Sequence, residues 1–374
     1  MDERALAERL ITYDTSTLEG MQSAAGFVKG WLEARDVEVT GTIHNGRPVL
    51  TASVGAAHGP TLILHGHLDV VPGRPEQFTP TVQGDRLFGR GAYDMKGGLA
   101  GMMCALVEAA EQKDARVHFL CISDEESDEE NQRGSDYLVE QGYLGDFAIT
   151  GEPTDLHVGV EAKGVLAMRI EVTGTAAHGS TPWVGDNAVL KALDVFRGIE
   201  SLPFARESSD LFDRPSINLG RILGGDAVNK VPDVCTIDVD VRYLPGQDPD
   251  AILEAINVLP DARVVKTFRR SPAIVQRGNA SVQLLGRAIS EVAPRPERIS
   301  VGRHGASDAI CFIEAGVPAV EFGPEGDGHH GPEEWVSIRS LGHYRRALVE
   351  FIRLFGESRD SARPPDEGTH LRIA

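Results

Sequence analysis

Basic residues are scarce in this chain: 37 Lys and Arg stand against 56 Asp and Glu, a formal net charge of −19 over 374 residues. Nucleic acid and anionic membrane surfaces both select basic patches, so neither is an expected partner. A cationic substrate does not follow, because acidic surfaces also simply solubilise. Cysteine is scarce too. Cys104, Cys121, Cys235 and Cys311 each stand alone in apolar surroundings, without a CxxC pair. A disulfide framework or thiolate metal site is therefore not expected, and buried free thiols are. No run approaches the roughly 18 apolar residues of a membrane span, and Met1-Asp2-Glu3-Arg4 offers no apolar signal core. A cytoplasmic protein is the expectation. The phosphate-loop pattern G-x-x-x-x-G-K-[ST] and internal repeats are also missing.

What is present is a globular composition, 41% apolar and 25% charged, in a chain long enough for two domains. Helical periodicity marks residues 2–11, 21–35 and 96–111. Short apolar runs at 48–54, 61–64, 117–123 and 147–150 read as strands. Strands alternating with helices predict an α/β layer on a mostly parallel mixed sheet. The texture changes near Lys163. Period-two runs at 166–173, 216–222 and 235–243, helices at 187–199 and 249–258, and a last strand at 262–267 follow the β-α-β-β-α-β order of the ferredoxin-like split unit. The expected division is a discontinuous first domain, 1–164 and 273–374, with 165–272 inserted. Within the return segment, 280–292, 309–315 and 338–355 read as helices and 318–322 as a strand. The tail from about 357 reads as frayed.

Five acidic and histidine segments fall at the ends of strand-like runs or in loops. In His65-Gly66-His67-Leu68-Asp69 an extended backbone points His65, His67 and Asp69 to one side. His67 as a metal ligand with Asp69 behind it suits the need of a ligating imidazole for a partner at its other nitrogen. A polar strand end is the plain alternative. In Gly89-Arg90-Gly91-Ala92-Tyr93-Asp94, glycines permit a tight turn projecting Asp94, whose two oxygens could bridge two cations; an ordinary helix N-cap is the alternative. Glu125 and Glu126 follow a buried strand, where adjacent carboxylates can divide metal binding and proton transfer. A solvated acidic loop is the alternative, and the favoured reading for residues 128–130. Glu152 precedes Pro153 and could be a turn residue. His330 precedes Gly331-Pro332, with His329 beside it as a competitor. Two histidines and three carboxylates together suggest a two-metal hydrolase.

In chain order these motifs, H-G-H-L-D, G-R-G-A-Y-D-M-K-G-G, S-D-E-E, G-E-P-T, A-A-H-G-S, N-K-V-P and H-G-P-E-E, span about residues 10–355. The order resembles the zinc-dependent amidohydrolases and exopeptidases that include acetylornithine deacetylase, succinyl-diaminopimelate desuccinylase, aminoacylase and bacterial glutamate carboxypeptidase. The resemblance implies a two-domain metallopeptidase fold: a catalytic α/β domain plus an inserted ferredoxin-like α+β lid that also forms a homodimer interface. It implies that Asp94 bridges two divalent metals, that His67 and Glu152 complete one site, and that Glu126 and His330 complete the other, with His329 a neighbour. Asp69 would orient His67, Glu125 would be general base and acid, and a cis peptide would fall at Asp94–Met95. From the lid, His178 would reach across a dimer to stabilise the oxyanion, and Asn229 and Arg242 would hold the substrate carboxylate. Zinc fits the mixed donor set, and cobalt or manganese could occupy it.

The implied reaction is amide hydrolysis by a metal-bound hydroxide, formed near neutral pH because the cation acidifies water, with Glu125 shuttling the proton. Glu at position 152 goes, in the resembling family, with deacylases and carboxypeptidases, which favours an N-acyl amino acid as substrate. Gly-Glu-Pro-Thr resembles acetylornithine deacetylase, and Ala162-Lys163 departs from the paired basic residues of desuccinylases. A carboxypeptidase or dipeptidase is the alternative of the same chemistry. A non-catalytic metal- or peptide-binding homologue is the alternative of another class, and the full ligand set with Glu125 argues against it.

Overall fold

Apolar runs without alternation need cover on both faces of a sheet. In the strand Thr61–His67 every residue after Thr61 is buried, and Phe147–Thr150 is buried throughout. The computed structural model describes residues 2–112, 115–126, 132–293 and 300–360. It divides into two units, one of Met1–Val158, Gln276–Ser300 and Cys311–Ala374, the other of Gly159–Val275 and Val301–Ile310.

In the first unit the strands run in the order Val39–His44, Arg47–Gly55, Arg116–Ile122, Thr61–His67, Phe147–Thr150, Ala319–Glu321. The first two pairings are antiparallel and the other three parallel. Helix Gly97–Ala109 is buried along nearly its whole length and packs against helix Ile338–Asp360. Their close approach depends on Gly101: a Cβ there would lie 2.6 Å from the Tyr344 ring. The closing helix runs to Asp360, past the expected end at residue 355; residues 361–374 and the acidic stretch 128–130 lie outside the described residues.

The parallel strands end level with one another. His67 pairs with Ile122, and His65 with Thr150. The residues that follow each strand, Leu68-Asp69, Ser123–Glu126 and Gly151-Glu152, therefore leave the sheet at one edge. The crevice beyond the carboxyl ends of parallel strands is where open α/β sheets place ligands. A small sheet missed in the sequence, ordered Gly326–Asp327, Trp335–Ser337, Arg86–Phe88, Thr81–Gln83, frames the loop that carries His329 and His330. Its strands are only two or three residues long, too short for periodicity to register.

The second unit contains the β-α-β-β-α-β order, as Gly164–Thr173, Ala188–Ser201, Ser216–Gly224, Val234–Tyr243, Pro249–Asn257 and Arg263–Arg270. Its antiparallel sheet places Val234–Tyr243 and Gly164–Thr173 centrally and Ser216–Gly224 and Arg263–Arg270 at the edges. Burial alternates strictly along Cys235–Tyr243, with Ile237, Val239 and Val241 packed under the two helices. Asn187 and Asp248 cap those helices, accepting from Val189 N and Asp250 N, each at 2.9 Å. The unit also takes in Ala273–Ile274 and most of Ser300–Arg303, both paired to the strand Val158–Ala162. All four cysteines are buried and outside any disulfide. Among the described residues no helix is long and apolar enough to cross a membrane.

Candidate metal centre

His67 closes its strand fully buried, and its Nδ1 donates to the Asp69 main-chain oxygen at 3.0 Å. A carbonyl oxygen only accepts, so this bond places a proton on Nδ1 and turns Nε2 outward. Nε2 faces carboxylates: Asp94 Oδ1 at 3.1 Å and Glu152 Oε1 at 3.5 Å. Asp69 thus orients His67 chiefly through its backbone, since its carboxylate is farther away at 3.6 Å. That carboxylate instead accepts from Glu126 N at 2.8 Å, fixing the turn that carries Glu125 and Glu126. Burial pushes the Asp69 carboxyl upward, against the opposing pull of His67.

Asp94 sits in a turn opened by Gly91 in the left-handed region (φ 81), where side chains other than Gly are disfavoured. The Asp94–Met95 peptide is cis, as the resemblance implies. The other Asp94 oxygen meets two imidazoles, His329 Nε2 in a short contact and His330 Nε2 at 3.3 Å. His330 Nε2 also lies 2.8 Å from Glu126 Oε1. Glu125 is anchored by Arg133 at 3.0 Å.

Three overlapping donor sets result: His67, Asp94 and Glu152; His67, Glu125 and Glu126; Asp94, His329 and His330, with ligand atoms in each set within 4.8 Å of one another. Asp94 and His67 are each common to two sets. His329, expected to be a bystander, lies on Asp94 as closely as His330 does. Nothing in the sequence separated two adjacent histidines in a glycine-flanked loop.

The charges show what the cluster requires. Burial disfavours an ionised Asp94, yet hydrogen bonds from His329, His330 and His67 hold it well below the usual range. Burial, with the Asp94 charge beside it, pushes Glu152 well above its usual value. Burial opposes protonation of His67, but the Asp94 hydrogen bond and the surrounding carboxylates raise it well above 6.5. Hydrogen bonds to Asp94 and Glu126 raise His330 to about 10. Protons on imidazoles thus provide the positive charge these carboxylates require, and divalent cations satisfy the same need. The oxygen and nitrogen donor set fits such ions.

Several residues that shape the centre lie within the quoted motifs but had no expected role. Glu334, nearly fully buried, accepts from Tyr93 N and Asp94 N, and its neighbour in the network is the buried Arg90. Lys96, fully buried with Nζ donating to Tyr13 O at 2.8 Å, is driven down to about 7 by burial.

In the second unit His178 is exposed, and Ser180 N donates to its Nδ1 at 3.1 Å. That bond assigns the ring proton to Nε2. Asn229 lies beside it, its carbonyl accepting from Gly179 N at 2.7 Å. Arg242 lies partly exposed on the polar face of its strand, with Nε 2.9 Å from Asp240 Oδ2.

Comparison with known proteins bears on this geometry. Residues 63–354 match the model of peptidase family M20/M25/M40. The chain belongs to that family. Among its curated relatives, a succinyl-diaminopimelate desuccinylase of Gluconobacter oxydans is 30% identical over 331 residues, covering 83% of this chain and 85% of that one. An acetylornithine deacetylase of Photorhabdus laumondii is 28% identical, covering 91% and 92%. The M20 metallo-carboxypeptidase Sso-CP2 of Sulfolobus solfataricus shares the fold, with TM-score 0.79 at 19% identity over 96% of this chain and 100% of that one. A Staphylococcus aureus tripeptidase does so with TM-score 0.77 at 19% identity, over 95% and 98%. This M20 protein is accordingly a hydrolase of amide bonds on a two-domain metallopeptidase fold.

Proposed function

We propose that the protein is a deacylase that cleaves the amide of an N-acyl amino acid at a centre of two divalent cations, most simply zinc. The observation that carries this reading is the convergence of His67, Asp94, Glu126, Glu152 and His330 at one sheet edge, with Glu125 among them. His67, Asp94 and Glu152 would hold one ion; Asp94, Glu126 and His330 would hold the other. Bound there, the ions supply Lewis acidity toward a carbonyl and acidify a water to near neutrality.

The side chains do the rest. Glu125, steadied by Arg133, takes a proton from the attacking water as the new C–O bond forms. It returns that proton to the nitrogen as the C–N bond breaks, releasing a carboxylate and an amine. His178, with its proton on Nε2, can donate to a developing oxyanion, and we assign it that role from a second copy of the chain. Asn229 and Arg242 are assigned the substrate carboxylate. Homodimerisation through the second unit is supported by its exposed edge strand Ser216–Gly224, where Leu223 is 58% exposed.

The curated relatives include both a desuccinylase and a deacetylase, and the similar solved structures are peptidases. A substrate panel decides among these. N-acetyl-ornithine, N-succinyl-diaminopimelate and dipeptides are assayed with and without chelator. Chelator-sensitive release from an N-acyl substrate is expected. Turnover of dipeptides alone would replace the deacylase by a dipeptidase.

A further inference from the structure

We propose that Arg90 and Glu334 form a strut that fixes the spacing between the Asp94 turn and the His329–His330 loop, and so sets how tightly the second cation is held. The inference rests on the two-cation reading above. Glu334 Oε1 accepts from Tyr93 N and Asp94 N, both at 3.0 Å. Its Oε2 accepts from Gly91 N at 3.0 Å and from Arg90 Nη1 at 2.7 Å. The other arm of the same guanidinium, Nη2, donates to the His330 carbonyl at 3.1 Å. Both ends of the strut therefore terminate on the backbone of a ligand residue, Asp94 at one and His330 at the other.

The loop needs such a hold. His330 has φ 58, a left-handed conformation that a residue with a side chain rarely adopts, so its chain direction is not self-maintaining. The backbone adds one link between the same segments, Gly89 N donating to Glu334 O at 3.0 Å. Gln77 adds a second restraint, its Nε2 donating to Gly331 O at 3.1 Å. Arg90 and Glu334 are 4% and 2% exposed, so neither is a surface ion pair screened by solvent. Only a planar fork can reach Glu334 and the His330 carbonyl together; a lysine ammonium is a single point.

Removing partners that orient metal ligands typically costs about 10–100-fold in metal affinity. The test measures the two stepwise zinc dissociation constants of the full chain by competition with a chromophoric chelator, with folding checked by circular dichroism. In Arg90→Lys, the second constant is expected to weaken about 10–100-fold and the first to change less than about threefold. In Glu334→Gln, both should weaken, because Asp94 serves both ions. Should Arg90→Lys not fold, Gln77→Ala reads the same second constant, with a smaller loss of about threefold to tenfold expected. Unchanged constants in folded Arg90→Lys, or equal weakening of both, would overturn the strut. Unchanged second-ion affinity in Gln77→Ala, where that variant is the one read, or unchanged constants in Glu334→Gln, would do the same. A wild-type chain that binds fewer than two ions would overturn the two-cation reading itself.

Discussion

The two units treat polar residues in opposite ways. At the sheet edge of the first unit, His67, Asp69 and Asp94 are almost wholly buried and bond to one another and to Glu126, His329, His330 and Glu334. On the sheet of the second, Arg169, Asp238, Asp240 and Arg242 pair across an open face and remain partly exposed. Burying charge costs several kcal/mol unless it is paired or bound to a cation, whereas exposed pairs contribute about 0–1 kcal/mol. The first arrangement therefore needs positive charge close by, from imidazole protons or from bound cations, and the second does not. In the proposed reading the proton carrier and the cation ligands belong to the first unit, and the second contributes Asn229, Arg242 and His178 to substrate and oxyanion.

The sharpest way to break that division is at Glu125. Glu125→Ala should lower kcat by about 10²–10⁴ while metal content by elemental analysis stays at the wild-type level. Turnover near wild type would remove Glu125 as the proton carrier. Next comes the core of the second unit. Ile237→Ala, at a fully buried position, should cost about 2–5 kcal/mol in denaturant unfolding. Zinc stoichiometry should be untouched, and loss of metal would show that the units are not separate in this respect.

Arg242→Ala should raise KM about 10–100-fold with little change in kcat, since hydrogen bonds to charged groups contribute about 1.5–3 kcal/mol. A fall in kcat alone would move Arg242 from recognition to chemistry. The effect of pH is the smallest when read per unit. His330 is raised to about 10 in the metal-free protein, so at neutral pH it carries a proton that an incoming cation must displace. Apparent zinc affinity should therefore climb as pH rises toward 10, by roughly tenfold per unit for each proton released. Proton release measured by calorimetry in two buffers checks the sign; affinity independent of pH would contradict it.

Much of the first unit's site was legible in the sequence because His67, Glu126 and Glu152 close or shortly follow apolar runs that end abruptly in acid or histidine. Phe147–Thr150 then Glu152, and Arg116–Ile122 then Glu125-Glu126, are patterns a periodicity reading can see. Arg90 and Glu334 stand within the quoted motifs, but their role was not legible because it lies in pairing across more than 240 residues of chain, which no local pattern encodes. His329 and His330 could not be ranked from the residues for a different reason: adjacent loop histidines differ only in backbone conformation, and φ 58 at His330 cannot be read from residue types. The second unit's split β-α-β-β-α-β order was legible because one face of its sheet is exposed, so period-two alternation survives. Its flanking strands, Val158–Ala162, Ala273–Ile274 and Ser300–Arg303, lack that alternation and were not expected.

The central claim is that one chain assembles a centre for two cations from His67, Asp94, Glu126, Glu152 and His330. Elemental analysis of the metal-reconstituted chain, beside His330→Ala and His67→Ala, tests it most directly. Two ions per wild-type chain, one in His330→Ala with the Glu126 site lost, and a deficit in His67→Ala are the results predicted. A wild-type chain that takes up no ion, or two ions retained in both variants, would contradict the account.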